Sequence, residues 1–255
     1  MSMLVITETM LPEGPAGAQP AGGPAVLAPW YVPVKTAFEF AAALFLLILT
    51  APLILVAMIL IRLTSAGPAF YTQARLGRHG KPFTIYKLRT MTHNCESLTG
   101  AQWSKPGDTR VTTVGRWLRK SHIDELPQLW NVLRGDMSLV GPRPERPEFL
   151  PMLEQAIPLY RQRLRVRPGV TGFAQVQLPP DSDLDSVRIK LAYDLHYVCR
   201  LGLVFDAALY LATLGKLLGL SEELIRTLCR FPKRDAVESE YQKLATPVAA
   251  PAVKA

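Results

Sequence analysis

The sequence predicts an α+β fold: a small, mostly helical domain carried on an N-terminal, proline-broken re-entrant membrane helix, with interfacial amphipathic helices beside it. Three observations lead there. The run from Phe40 to Ile61, FAAALFLLILTAPLILVAMILI, carries no charge, and as a helix it is long enough to cross a hydrocarbon core of about 30 Å. The polar region behind it mixes short β-like runs with glycine and proline. Past Asp185 come two more helical patterns, one amphipathic and one mostly apolar.

Residues 1–34 are rich in Pro, Gly and Ala with almost no charge, and read as a disordered leader. The basic residues and early apolar core of a secretory signal are missing. The membrane helix is placed at 35–64. Pro52 deletes a backbone hydrogen bond at its centre, and the Thr50 hydroxyl stands close enough to serve the freed groups. A kinked crossing and a return to the entry face both fit this pattern. Lys35 and Arg62 flank the two ends, so the positive-inside rule does not choose. Most remaining basic charge follows Arg62, which puts that bulk in the cytoplasm, and no large polar domain precedes the helix. The re-entrant form is favoured.

The polar domain is placed at 65–225. Ser65-Ala-Gly-Pro68 reads as a turn, Phe83-Thr-Ile-Tyr86 as a strand, and residues 92–109 as a loop. Helices are expected over about 114–119, 125–134, 148–164, 185–200 and 203–220. Val187, Leu191, Leu195 and Val198 share a face of the fourth. Asp206 and Lys216 make the fifth an interfacial helix rather than a second span. Residues 226–255 are assigned to a C-terminal tail, Ala/Pro-rich after Thr246.

A formal net charge of +8 calls for an anionic partner. Three distant cysteines (Cys95, Cys199, Cys229) and four histidines without ligand spacing argue against a disulfide framework and a zinc site. Nucleic acid is set aside as well, because the arginines form no face interleaved with exposed aromatics and no reading motif is visible. Phosphorylated substrates and an anionic membrane face remain.

The chemistry points to Ser121-His-Ile-Asp-Glu-Leu-Pro-Gln128. Asp124 and Glu125 stand in a basic setting, with Arg116, Arg119 and Lys120 upstream and Arg134, Arg143 and Arg146 downstream. A carboxylate can attack phosphorus or hold a metal while guanidinium groups bind the oxyanions. The plainer reading is a helix start, since Ser121-x-x-Asp124 fits a capping box and Pro127 a first turn. Both readings stay open on these residues alone. In Gly141-Pro-Arg-Pro144 the two prolines stiffen the backbone around Arg143 and fix where its guanidinium points.

Further segments extend the pattern: Gln73-x-Arg75-x-Gly77, Lys87-Leu-Arg89-Thr-Met91, Asp108-x-Arg110, Leu118-Arg-Lys-Ser121, Asn131 through Pro144, and Arg167-Pro-Gly-Val-Thr-Gly172. On these, from about Lys35 to Leu220, the chain resembles the bacterial sugar transferases. More narrowly, it resembles the monotopic polyprenyl-phosphate phosphoglycosyltransferases that begin exopolysaccharide, O-antigen or glycoprotein glycan assembly. The resemblance implies Asp124 as nucleophile and Glu125 as its partner in a catalytic dyad. Transfer between two anions calls for Mg2+, with Asp124 and Glu125 as its oxygen ligands, and Glu125 is open to either ligating the metal or orienting the nucleophile. The resemblance also implies substrate-phosphate binding by Arg119 and Arg143, to which Lys87 and Arg89 are added. A UDP-sugar, undecaprenyl phosphate and membrane lipids would be the partners, at the cytoplasmic face of the bacterial inner membrane, with a homodimer allowed. Asp124 would take the phosphosugar, release UMP and pass the phosphosugar to the lipid phosphate.

The chain departs from the family pattern in three places. Thr50-Ala51-Pro52 stands where the family breaks its helix at Ser-Pro. Leu88 replaces a usual phenylalanine. Gln177-Leu-Pro-Pro180 replaces an Asn-Gly-Arg, so sugar choice cannot be carried over. The large N-terminal extension of some members is not seen, which implies a minimal form. The competing reading is a catalytically silent, membrane-anchored protein that binds nucleotide sugar or assembly partners. The intact acid pair and Pro142-Arg143-Pro144 argue against it.

Overall fold

The computed structural model describes residues 30–95, 100, 107–179 and 183–246. Most of the predicted leader, much of the 92–109 loop, Pro180 and the end of the tail lie outside them. The chain opens with α1 (Tyr31–Thr64) and the hairpin β1 (Phe70–Leu76) and β2 (Pro82–Leu88). Then come α2 (Thr113–Lys120), α3 (Gln128–Leu133), β3 (Ser138–Val140), α4 (Leu150–Ala156), β4 (Gly169–Thr171) and α5 (Phe173–Gln177). It closes with α6 (Leu184–Arg200), α7 (Leu203–Leu217), α8 (Glu222–Leu228) and α9 (Arg234–Ala245). β1 and β2 pair antiparallel, from Phe70 opposite Leu88 to Leu76 opposite Pro82. β3 and β4 pair parallel, Ser138 with Gly169 and Val140 with Thr171.

The first helix begins at Tyr31, ahead of the boundary expected at residue 35. Pro33 falls in its first turn, where the backbone N–H has no helical partner to lose. The helix has 34 residues, about 50 Å at 1.5 Å per residue, and is long and apolar enough to cross a membrane. It continues through Pro52, which leaves the Ile48 carbonyl without its helical donor. The expected rescue by Thr50 does not reach that carbonyl. Its hydroxyl donates to the Leu46 carbonyl at 2.7 Å instead, the back-bonding geometry that bends helices.

Both halves of α1 pack against the same body. Ala43 joins a cluster with Ile85, Leu129 and Val132. Ile54, Ala57 and Ile61 join Leu88, Leu118 and Ile123. Around the middle, Phe45, Ile48, Leu49, Leu55 and Val56 remain exposed.

The first half is fastened by a buried polar clasp. Asp206 of α7 accepts hydrogen bonds from the Tyr31 hydroxyl, from Lys35 Nζ at 2.6 Å and from the Tyr197 hydroxyl at 2.9 Å. Glu39 pairs with Lys35 at 2.8 Å and accepts from Ser138 Oγ and from the Tyr210 hydroxyl at 2.9 Å. Two carboxylates thus share one ammonium, and hydroxyl donors satisfy the rest. Asp206 is therefore not the water-facing charge of an interfacial helix. It is 2 % exposed and turned inward.

Three other expectations are corrected. The helix at 148–164 is interrupted, because Pro158 holds Ile157 extended and Leu159 is left-handed. α4 therefore stops at Ala156, and a 3-10 segment covers Tyr160–Arg165. α6 is no surface helix: Leu191 to Val198 are all buried, enclosed by α5, α9 and the 160–165 segment. Of the two helices expected at the interface, α7 is the one that keeps an exposed apolar stripe, with Leu203, Val204, Leu211, Leu214 and Leu217. Finally, the supposed tail contributes to the core, since Val237 and Tyr241 of α9 are buried in the same cluster as α6.

Asp206→Ala removes the acceptor from Tyr31, Tyr197 and Lys35 together. Breaking a buried pair in this way costs about 3 kcal/mol or more, which denaturant unfolding in detergent measures. Loss of well under 1 kcal/mol would show that the clasp is not what fastens α1.

Candidate functional site

Asp124 and Glu125 sit in a 3-10 turn (Ile123–Glu125) between α2 and α3, not inside a helix. The capping-box reading fails. Ser121 ends α2, and its hydroxyl donates back to the Trp117 and Leu118 carbonyls at 2.9 and 3.1 Å. The cap that starts α2 is Thr112, which accepts from the Gly115 N–H. Next comes His122 in the left-handed region (φ 56°, ψ 15°). This closes α2 in the way a glycine usually does, and turns the chain so that Ile123 packs on α1 while the acid pair faces β2.

Asn131 sets the distance between the pair and β2. Its buried amide accepts from the Tyr86 N–H at 3.1 Å and donates to the Thr84 carbonyl at 2.7 Å. α3 is thereby fixed along β2, and the next strand residue, Lys87, reaches Glu125 Oε1 at 2.8 Å. Arg143 meets the same oxygen at 2.7 Å.

The two carboxyls are treated differently. Burial raises the Glu125 carboxyl, but Arg143 and Lys87 more than reverse this and hold it well below the usual carboxylate range. Among the described residues no hydrogen bond or ion pair reaches Asp124, which is 8 % exposed. Burial, then the Glu125 charge, push it up to about 6, against the pull of Lys87, Arg119 and Arg143. One carboxylate is tied down and the other is left available.

The other expected residues divide. Arg119 lies near enough for its charge to act on Asp124, with Nε donating to Thr90 Oγ1 at 2.8 Å. Arg89 does not join the group. Its guanidinium donates to the carbonyls of Ser65 and Ala66, securing the turn that follows α1. Three arginines counted in the basic ring also bond elsewhere: Arg116 to Thr113, Arg134 to Asp136 and Arg146 to Glu148. The roles of Asn131 and His122 were missed; the first lay inside a quoted motif, the second beside the acid pair.

Among the described residues no three His, Cys, Asp or Glu side chains cluster as a closed metal site. Magnesium asks for less, since one or two carboxylates complete its shell with water and substrate phosphate. Asp124 and the second oxygen of Glu125, which has no partner among the described residues, fit that oxygen-only requirement.

The fold and site define a class: a domain packed on an apolar helix, carrying a largely buried acid pair beside a lysine and an arginine. The bacterial sugar transferase family model matches residues 30–219, and the chain belongs to that family. It is 43% identical over 190 residues to the UDP-N-acetylgalactosamine-undecaprenyl-phosphate N-acetylgalactosaminephosphotransferase of Aeromonas hydrophila, covering 74% of this chain and 45% of that protein. It is 45% identical over 186 residues to the UDP-glucose:undecaprenyl-phosphate glucose-1-phosphate transferase of Caulobacter vibrioides, covering 72% and 69%. It is 36% identical over 185 residues to the exopolysaccharide production protein PSS of Rhizobium leguminosarum, covering 71% and 92%. The chain thus spans from under half to nearly all of the curated relatives it matches.

In metal-free protein labelled with 13C at aspartate carboxyls, the resonance lost in Asp124→Asn should titrate near pH 6. Glu125→Gln removes a like charge and should move that midpoint downward. An ordinary midpoint in the wild type, or an upward move in the variant, contradicts this account of the pair.

Proposed function

We propose that this protein transfers a phosphosugar from a UDP-sugar to undecaprenyl phosphate, as the first membrane step of exopolysaccharide or related glycan synthesis. The observation that carries the reading is the unpartnered Asp124 carboxylate beside a Glu125 held by Lys87 and Arg143. An Asp124 oxygen attacks the β-phosphorus of the donor. The bond from that phosphorus to the bridging oxygen breaks, and UMP leaves with the oxygen. An oxygen of undecaprenyl phosphate then attacks the phosphorus of the phosphosugar-aspartate, which frees the carboxylate and forms the lipid diphosphate-sugar. Both steps join anions, so fixed cationic groups at the phosphates lower the barrier.

Arg143 and Arg119 are the groups for the donor phosphates, and Lys87 keeps Glu125 in place. Asp124 and Glu125 would hold magnesium, which offsets phosphate charge when bound. The names of the Aeromonas and Caulobacter relatives support a UDP-sugar donor and this lipid acceptor. The sugar is left open, because the Gln177–Pro180 departure falls where sugar choice was expected.

The proposal includes the re-entrant form of α1, on the cytoplasmic face. A helix crossing the bilayer would carry one end about 30 Å from the domain, whereas here both halves touch it. Pro52 and the Thr50 back-bond supply the local cause of a bend. Ile123 packs on the second half of α1, so the neighbouring acid pair would sit at headgroup depth, where a polyprenyl phosphate presents its phosphate.

Purified protein in nanodiscs with undecaprenyl phosphate and magnesium should release UMP from one member of a UDP-sugar panel. Asp124→Asn should lower this by at least about 10³-fold. Full activity in the variant would reject Asp124 as nucleophile, and no release with any donor would favour the silent binding protein. For topology, Val34→Cys and Thr64→Cys in a cysteine-free background should both react with an impermeant thiol reagent in inside-out vesicles only. Labelling at opposite faces would establish a crossing helix.

A further inference from the structure

The Pro142-Arg143-Pro144 segment cannot pair like a strand, because two of its three residues lack an N–H. It is held through its carbonyls instead. The Pro142 carbonyl accepts from the Gly169 N–H and the Glu145 carbonyl from the Leu76 N–H, each at 2.8 Å. The two carbonyls between them are gripped by side chains: Arg143 O by Arg163 at 2.8 Å, and Pro144 O by Arg75 at 3.1 Å. Four consecutive carbonyls are thus fixed, two by backbone and two by guanidinium groups.

Arg163 is the unusual member. It is 7 % exposed, pairs with buried Asp194 at 2.7 Å, and donates to the Tyr160 hydroxyl at 2.7 Å. Taking two charges out of water is costly, and apolar residues of similar volume often serve stability as well or better. The carbonyl that Arg163 grips belongs to the residue whose side chain contacts Glu125 at 2.7 Å. We infer that Arg163, balanced by Asp194, is a positioning residue that holds the Arg143 backbone and so aims the Arg143 guanidinium at Glu125 and the donor phosphates. This rests on the phosphosugar-transfer reading above.

Arg163→Met alone would take from buried Asp194 its 2.7 Å guanidinium partner, so the test variant is Arg163→Met with Asp194→Asn, checked for folding by thermal melting and size exclusion. UMP release is measured for it in the wild-type and the Arg143→Ala backgrounds. The expected result is a loss of about 10- to 100-fold in the first, on the scale of a small misplacement of a catalytic group. In the second, where there is no guanidinium left to aim, the further loss should stay under about twofold. Arg163→Lys, which keeps a cation beside Asp194, should recover part of the loss. Equal losses in both backgrounds, or none in either, overturn the positioning role.

If the wild type releases no UMP, the transfer reading fails, and the positioning role is judged by structure alone. An experimental structure of the double variant should then show Arg143 out of hydrogen-bond reach of Glu125. A retained contact overturns the inference.

Discussion

The joint between α1 and the body rests on charge sealed away from water, not on apolar packing alone. Asp206 and Glu39 lie on different helices and share Lys35. Through Ser138 and the Val140 N–H, Glu39 also ties the joint to β3, the short strand leading into Arg143. An apolar helix on an apolar surface can slide and rotate. Directional hydrogen bonds to a pair of carboxylates define one register. The orientation of α1 against β3 follows from this clasp, and that of the Arg143 segment follows from β3.

A second constraint operates where β3 meets β4. A side chain on Gly141 would put its Cβ 2.4 Å from the Arg167 carbonyl oxygen, and one on Gly169 would meet Gly141 at 2.1 Å. Only two bare backbones can lie this close. The loop carrying Arg143 is thereby pressed against the Arg167-Pro-Gly turn, and the guanidinium arrives at Glu125 from a rigid base. Beside it the acid pair shows how adjacent, identical functional groups acquire opposite character. Glu125 gains two cations, while Asp124 gains burial and a like charge. A tethered anion and a poised one come from neighbouring positions in the chain.

Much of this was legible in the residues. The apolar run and the acid pair in its basic setting stand out in composition and spacing. The family resemblance singles out Arg119 and Arg143, which the structure places near the pair; Lys87, expected at the substrate phosphates, instead pairs with Glu125. Arg89 and Asp206 could not be read, since a charge looks the same in sequence whether it faces a ligand, water or a backbone carbonyl. The Lys35 and Glu39 spacing of four at the mouth of the apolar helix was the available signal for the clasp. α6 misled for a related reason: an amphipathic pattern marks one buried face, and nothing in the pattern shows that α9 will cover another. Leu159 and His122 adopt left-handed conformations that no local rule for leucine or histidine favours; the end of α4 escaped prediction for that reason, whereas α2 stops at Lys120, one residue past the end expected for it.

The family match ends at residue 219, but the hydrophobic core does not. Ile225, Phe231, Val237 and Tyr241 belong to it; Phe231 stacks edge-on against Phe173 at 5.1 Å, and Glu240 bonds His196 of α6 at 2.8 Å. The unit of homology and the unit of folding are therefore different lengths of chain. A domain exchanged at the family boundary would arrive without its lid, with aromatic surface bare to solvent, and would have to borrow a cover from its new neighbour. Modular reuse of this chemistry is limited by where the core closes, some 25 residues past the last matched position.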